Sequence, residues 1–236
     1  MILTGILKPG KRLLFWVFVV SAWVIIAYAG YQVAPSKAKA DWNQIHRSVV
    51  RAAEWNSYQV EEFVETDGIE QLHLSGKIQQ QPKQSFFEVQ VKLKEDHFFS
   101  FEAYLTANRI DLHNKEQDHW VQMDINHPAA GELTGMSNPI EFWKNLLSSV
   151  KTIKKVQDVS KVGFHMTLRT FFESVHGIAF EGDSAEMEIW IDKEKGNLLE
   201  AKLKAKLPQN THYNYKEVEY RANFTGVNQT NVPNMP

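Results

Sequence analysis

The sequence contains no cysteine, and this absence excludes several kinds of site at once. A chain without thiols has no disulfide framework, no thiolate metal ligand, no cysteine nucleophile and no lipid-modified cysteine. An excess of one charge is lacking too, because the formal net charge of the 236 residues is −2 at pH 7. Such a chain offers no electrostatic argument for nucleic acid as a partner. Its 43% hydrophobic and 23% charged residues are typical of a folded protein.

Recognisable catalytic and metal-binding patterns are also missing. No two of the nine histidines have the i, i+2 or i, i+4 spacing that directs two imidazoles at one ion, so no metal or cofactor is predicted. Ser-x-x-Lys occurs at Ser148 to Lys151 without its companion motifs. The acidic pair Glu61-Glu62 and the run Glu217-x-Glu219 are interpreted as solvated strand faces. We therefore expect a protein that is not an enzyme.

A long apolar run lies near the N-terminus. Residues 13–33 read LLFWVFVVSAWVIIAYAGYQV and carry no charged side chain. About 20 such residues in a helix span a hydrocarbon core of about 30 Å, so this segment is predicted to be a transmembrane anchor. Residues 1–12 form a basic leader that favours a cytoplasmic N-terminus. Residues 34–236 are then an extracytoplasmic domain on the outer side of the cytoplasmic membrane, held there by a single-pass anchor.

Cleavage of the apolar run as a signal peptide is the alternative. Ala27-Tyr28-Ala29 and Ala38-Lys39-Ala40 both resemble small-x-small cleavage sites. The apolar core of a signal peptide has only about 7–15 residues, and this run is longer. Its length favours an uncleaved anchor.

The domain begins with a helical pattern and continues with strands. From Ala40 to Trp55, apolar residues recur every three or four positions, which predicts an amphipathic helix. After Ser57 the period changes to two, which is typical of antiparallel strands that bury one face. The apolar positions of the predicted strands lie within residues 87–93, 99–105, 121–125, 187–191, 199–205 and 218–224. Polar turns at 94–96, 114–116 and 192–197 predict hairpins.

Two further helices are predicted inside this run of strands. Asn138-Pro139 is a favourable helix start, and Trp143, Leu146 and Leu147 form an apolar stripe in a helix predicted to reach Lys151. Residues 170–176 are a second, short candidate. The predicted fold class is α+β but mostly β, with one transmembrane helix before it. Its sheet is strongly bent and antiparallel, an incomplete barrel with helices packed on its concave face.

The segment Met187 to Leu207, MEIWIDKEKGNLLEAKLKAKL, resembles the periplasmic lipoprotein-carrier family. It also resembles the related mycobacterial lipoproteins that ferry lipids through the cell envelope. A strand ending in Trp-Ile-Asp, a charged turn closing on Gly196 and a second strand carry the resemblance. The Gly135 to Pro139 approach to a mid-domain helix agrees with it. The resemblance implies an incomplete barrel whose helices form a lid over a cavity for acyl chains.

This resemblance implies binding rather than catalysis, for a lipid, an acyl chain or a lipoprotein. A tethered domain cannot shuttle between membranes, so a fixed sensor or holder fits the predicted anchor better. The predicted apolar cavity is lined by Phe87, Val89, Phe99, Phe101, Met123, Phe142, Trp143 and Leu147. The alternative is a protein-interaction or assembly module of the cell envelope or sporulation machinery, with an envelope protein as its partner and no small ligand.

Overall fold

The computed structural model describes residues 38–94, 97–127, 130–176, 178–182, 185–207 and 214–233. The chain divides into two compact units, Met1–Asn43 and Gln44–Pro236. Of the first unit only residues 38–43 are described, and they are helical. The predicted leader and membrane span lie outside the described residues. Among the helices that are described, none has the length and apolar character needed to cross a membrane.

Helix α1 covers residues 38–53, and thirteen strands follow it within the described residues. The strands are β1 (Ser57–Thr66), β2 (Ile69–Gln80), β3 (Lys83–Lys94), β4 (His97–Thr106), β5 (Arg109–Asn114), β6 (His119–Asp124), β7 (Val150–Gln157), β8 (Lys161–Leu168), β9 (Phe171–Val175), β10 (Ile178–Gly182), β11 (Ala185–Asp192), β12 (Leu198–Lys206) and β13 (Glu217–Thr225). Helices α2 (Ala130–Met136) and α3 (Pro139–Leu146) connect β6 to β7.

Eleven of the described strands form one antiparallel sheet in the order β6-β5-β4-β3-β2-β1-β13-β12-β11-β8-β7. The order has two ends, β6 and β7, so the sheet does not close on itself. Strands β9 and β10 form a separate two-stranded sheet. The prediction of a mostly β, antiparallel and unclosed sheet is therefore confirmed. The chain between the two edge strands carries both α2 and α3, so these helices lie on the path from one edge of the sheet to the other.

Alternating burial gives the sheet one apolar face, which we call the inner face. On β13, Val218, Tyr220, Ala222 and Phe224 are buried, while the residues between them are partly exposed. The predicted alternation is confirmed on β11 as well. On β12 it is displaced at its start: Leu198 is buried and Leu199 is not, because the register with β11 shifts between Trp190 and Ile191. A β-bulge adds one residue to a strand and reverses the faces beyond it.

The predicted turn at residues 192–197 is confirmed between β11 and β12. The Asp192 carboxylate accepts hydrogen bonds from the backbone N–H groups of Glu194 and Lys195, at 2.9 and 2.6 Å. Gly196 follows with φ +68°, a backbone conformation that glycine adopts without steric cost. The polar pattern that predicted a hairpin is thus the chemistry that closes it.

Helix α3 confirms the predicted start at Pro139 but is shorter than predicted. It ends at Leu146, a 3-10 turn covers Leu147–Ser149, and strand β7 begins at Val150. The helix was predicted to continue to Lys151, and that part is wrong. β-branched residues at 150, 152 and 153 favour a strand, and the segment pairs with β8.

The short helix predicted at residues 170–176 is also wrong, because this segment forms strand β9 and the turn after it. Phe171 is buried and Phe172 is 66% exposed, which is the alternation of a strand. Cross-strand pairing with β10, from Val175 opposite Ile178 to Phe171 opposite Gly182, satisfies the backbone groups of the segment. We call β9 and β10 the covering hairpin.

The centre of the inner face is filled by aromatic side chains. Trp143 of α3 is fully buried and stacks on Tyr220 of β13, with ring centroids 4.9 Å apart and 11° between the planes. Phe142 meets the edges of Tyr220 and Phe180, at 5.1 and 5.9 Å. Helix α3 and the covering hairpin therefore pack on the same central strand. Around Tyr220, aromatic side chains fill the space between the sheet and the elements packed on it, so no cavity is left there among the described residues.

We expect Trp143→Ala to lower the free energy of unfolding by about 3–5 kcal/mol, because it removes a fully buried ring and leaves a cavity. Urea unfolding followed by circular dichroism measures this change. The matched control is Phe172→Ala, which removes an exposed ring of the covering hairpin and is expected to change stability by about 0.5 kcal/mol or less. Equal effects of the two substitutions would contradict the packing of α3 described above.

The outer face of the sheet carries charged pairs. His113 of β5 lies between two carboxylates: Nδ1 is 3.0 Å from Glu102 and Nε2 is 3.0 Å from Asp118, and both nitrogens donate when the ring is protonated. The hydrogen bond to Glu102, with a smaller contribution from Asp118, raises the pKa of His113 above its usual value. Lys115 pairs with Glu102 at 3.1 Å. Burial by itself raises the pKa of the Glu102 carboxyl, but the hydrogen bonds from His113 and Lys115 outweigh it, so the pKa is lowered.

An NMR titration of His113 should therefore give a pKa above the usual value of about 6.5, and Glu102→Gln should lower it. Because the folded-state pKa is raised, the stabilisation by this histidine is fully present below its unfolded-state pKa. It is lost as the pH rises through the folded-state pKa. A His113 pKa that does not respond to Glu102→Gln would contradict the assigned hydrogen bond.

Candidate functional site

An apolar cavity of about 380 Å³ opens beside the aromatic centre of the inner face. This volume lies within the range of about 300–1,000 Å³ that small-molecule sites occupy. The surface of the cavity is mostly apolar. It is lined by Thr66, Gln71, Leu72, Val91, Lys92, Met136, His176, Ile178 and Tyr215.

The cavity has two kinds of wall. One wall is the sheet, where Leu72 of β2 and Val91 of β3 are cross-strand partners. The opposite wall is made of covering elements: Met136 is the last residue of α2, and Ile178 is the first residue of β10. The sheet wall belongs to the hydrogen-bonded ladder, whereas the covering wall consists of a seven-residue helix and the tip of a two-stranded hairpin. A ladder of this size is the more rigid of the two.

A buried polar cluster adjoins the cavity at His176. Glu62 of β1 is 0% exposed, and its Oε2 accepts two hydrogen bonds. One comes from the Tyr220 hydroxyl at 2.5 Å and the other from His176 Nε2–H at 2.7 Å. The His176 side chain is itself only 2% exposed. We call these three residues the Glu62 cluster.

The Glu62 cluster is not fully satisfied. Glu62 Oε1 and His176 Nδ1 are buried and have no hydrogen-bond partner among the described residues. Burial, followed by the charge of Glu62, raises the pKa of Tyr220 well above its usual value, and the same two causes raise the pKa of Tyr58. Both phenols therefore stay protonated around the carboxylate. Buried polar atoms without partners cost free energy, and they often mark a functional position.

Glu62 corrects the interpretation of Glu61-Glu62 as a solvated face. Glu61 does lie on the outer face, near His73, but Glu62 belongs to the inner face with Val60 and Val64. Alternation along Tyr58, Val60, Glu62 and Val64 is the signal that could have identified it. No sequence pattern identifies His176 as the partner of Glu62, because the position of His176 depends on how the covering hairpin folds back over the sheet.

The eight residues predicted to line a cavity lie in three places. Phe87 and Val89 are buried on β3, and the ring of Phe87 covers Gly76, where a β-carbon would lie 2.5 Å from it. Phe99 and Phe101 are neighbours on β4, with ring centroids 5.7 Å apart and both side chains partly exposed. Met123 is partly exposed on β6, across from Ile110.

The other three, Phe142, Trp143 and Leu147, are buried in α3 and the turn after it. Phe142 and Trp143 belong to the aromatic centre. None of the eight is among the nine residues that line the cavity described above. The closest link is through cross-strand pairs: Phe99 lies opposite Val91, which does line the cavity, and Phe101 lies opposite Val89. Their role in ligand binding stays a prediction.

A second pocket of about 540 Å³ lies between the end of α1 and the turn that joins β11 to β12. Its lining is mixed and includes Arg51, Glu54, Asp192 and Lys195. Arg51 donates a hydrogen bond to the carbonyl of Lys195 at 3.2 Å, so the helix is attached to the turn. Across the described ranges, no group of three or more His, Asp or Glu side chains is arranged to hold a metal ion.

Comparisons by sequence identify no relative. No known family profile matches the chain, and no curated protein matches it. Solved structures do match. The chain is similar to the lipoprotein LppX of Mycobacterium tuberculosis, with a TM-score of 0.54 and 12% identity over 84% of this chain and 99% of that one. It is also similar to LprF from Mycobacterium bovis, with a TM-score of 0.54 and 12% identity over 83% and 97% of the two chains.

These matches confirm the predicted resemblance at the level of the fold. They cover 99% and 97% of the two mycobacterial proteins and 84% and 83% of this chain. At 12% identity the likeness does not extend to individual site residues. The chain thus has the fold of the lipoprotein LppX of Mycobacterium tuberculosis and of LprF from Mycobacterium bovis.

Proposed function

We propose that this protein binds the apolar part of a lipid or an acylated molecule in the cavity beside Leu72 and Val91. The observation that carries the proposal is the cavity itself, which is apolar, lies on the inner face of the sheet and has a ligand-sized volume. The fold of LppX and LprF supports it, because the family resemblance noted from the sequence implies lipid carriage. A binding role without catalysis is part of the same proposal.

Membrane attachment belongs to the proposal as well. The apolar run at residues 13–33 would hold the domain at the outer face of the cytoplasmic membrane, with the basic leader inside. A tethered binding domain would act on lipids or lipoproteins of that membrane. A fixed holder or sensor suits this arrangement better than a shuttle between membranes.

The cavity can be filled from within to test the proposal. Val91→Trp places a large ring at a partly exposed, lining position of β3, where aromatic residues are compatible with a strand. We expect the full-length variant, purified in a mild detergent, to lose a stoichiometric lipid that the wild type retains. Native mass spectrometry followed by lipid extraction measures the adduct and identifies its class.

The matched control is Leu93→Trp. Leu93 lies two residues along the same strand, is 58% exposed and does not line the cavity. This control adds the same ring to the same strand but outside the cavity. The amount of detergent or annular lipid bound to the protein is therefore unchanged. A wild type without bound lipid in repeated preparations would contradict the proposal. That outcome would favour the interaction module, for which co-purification of one envelope protein is the next measurement.

A further inference from the structure

We propose that the His176–Glu62 contact holds the tip of the covering hairpin closed over the cavity and controls how fast a ligand enters and leaves. This inference rests on the proposed function and adds the route of access to it. The resemblance to the lipoprotein-carrier family implied that helices form the lid. The contacts of the covering hairpin assign that role to its tip instead.

The strands at the two ends of the covering hairpin show where it leaves the sheet and where it returns. It connects β8 to β11, which are paired neighbours in the sheet. Its tip nevertheless reaches Glu62 on β1, and β12 and β13 lie between β11 and β1 in the sheet order. The hairpin therefore extends across the inner face, away from the strands that it connects. A two-stranded hairpin alone is marginally stable in water, so its position depends on contacts along its length.

The covering hairpin contacts the inner face at its middle and at its tip. In the middle, buried Phe180 packs against Phe142 and Tyr220, with centroids 5.9 and 6.1 Å apart. At the tip, His176 reaches Glu62, and its ring also meets the edge of Tyr220 at 6.1 Å. The aromatic contact is apolar and lies away from the cavity lining. The tip contact is polar and belongs to a residue that lines the cavity.

Opening at the tip would enlarge the cavity directly. His176 directly follows β9 and Ile178 begins β10, and both are cavity-lining residues. Moving the tip away removes one wall and leaves the sheet wall in place. The cost of this movement is set by the hydrogen bond from His176 to the Glu62 carboxylate. The two groups of this contact can form hydrogen bonds to water when it opens, which partly offsets the cost of breaking it.

His176 also occupies an unusual backbone conformation, with φ +52°. Histidine and asparagine tolerate this region better than most residues. The substitution His176→Asn therefore keeps a backbone-compatible residue and shortens the side chain so that it no longer reaches Glu62. Tyr220→Phe is the matched control, because it removes the other hydrogen bond to the same oxygen and leaves the hairpin contact intact.

The test measures uptake and release of cis-parinaric acid by stopped-flow fluorescence, with the full-length protein in detergent. We expect His176→Asn to accelerate both rates by about tenfold or more, the factor that matches one lost hydrogen bond to a charged group. The equilibrium affinity should change much less, since both rates rise together. Hydrogen exchange should quicken at the amides of β9 and β10 and stay unchanged in β1 and β13.

Unchanged rates in His176→Asn, with uptake by the wild type intact, would overturn the access role alone. Equal acceleration in Tyr220→Phe would also overturn it, because that result would mean that loss of stability, rather than release of the tip, changes the rates. If the wild type takes up no probe, the proposed binding function itself fails and the access role fails with it. Faster hairpin exchange together with faster uptake in His176→Asn alone is the result that supports the proposal.

Discussion

The inner face of a large sheet that does not close is the constraint on which the rest of this structure depends. A closed barrel covers its interior with its own strands, but here β6 and β7 remain unpaired edges among the described strands. The apolar face between them must be covered by other parts of the chain. Two connections contribute to this cover: the segment from β6 to β7, which carries α2 and α3, and the covering hairpin between β8 and β11. The cover is uneven. Large rings fill the centre at Tyr220, and a cavity remains beside it.

The buried carboxylate of Glu62 is bonded to His176, which lines the cavity. A charged group at 0% exposure is costly unless it is paired, and its partners come from two different layers. Tyr220 belongs to the sheet and stays in reach of Glu62 whatever the cover does, since the two residues are diagonal neighbours on paired strands. His176 belongs to the cover and is in reach only when the hairpin is closed. The carboxylate therefore senses the position of the hairpin tip, and the sheet alone satisfies only half of its observed hydrogen bonds.

Much of the sheet was predictable because its signal is local. Period-two burial on β11 and β13, the turn at Asp192 and Gly196, and the start of α3 at Pro139 all follow from residues adjacent in sequence. The errors also have local causes. Val150 and Phe171 lie in short segments where helical spacing and strand alternation coincide, and cross-strand pairing decides between them. The cavity was less predictable, because its lining combines Val91 of the sheet with Met136 and His176 of the cover. Those residues meet only after the connections have folded back, and no periodicity in the sequence encodes that event.

Stability alone does not account for a polar contact at the tip of the hairpin. Replacing a buried ionisable pair with well-packed apolar residues is often neutral or stabilising, so an apolar tip would hold the cover at least as firmly. The middle of the hairpin uses that solution, with Phe180 against Phe142 and Tyr220. The tip instead places His176 on Glu62 and leaves one atom of each without a partner among the described residues. Groups of this kind regain hydrogen bonds to water when they separate, which partly offsets the cost of opening. The covering hairpin is therefore held by apolar packing in its middle and by a hydrogen bond that can open at its tip. A cavity with one movable wall requires this combination.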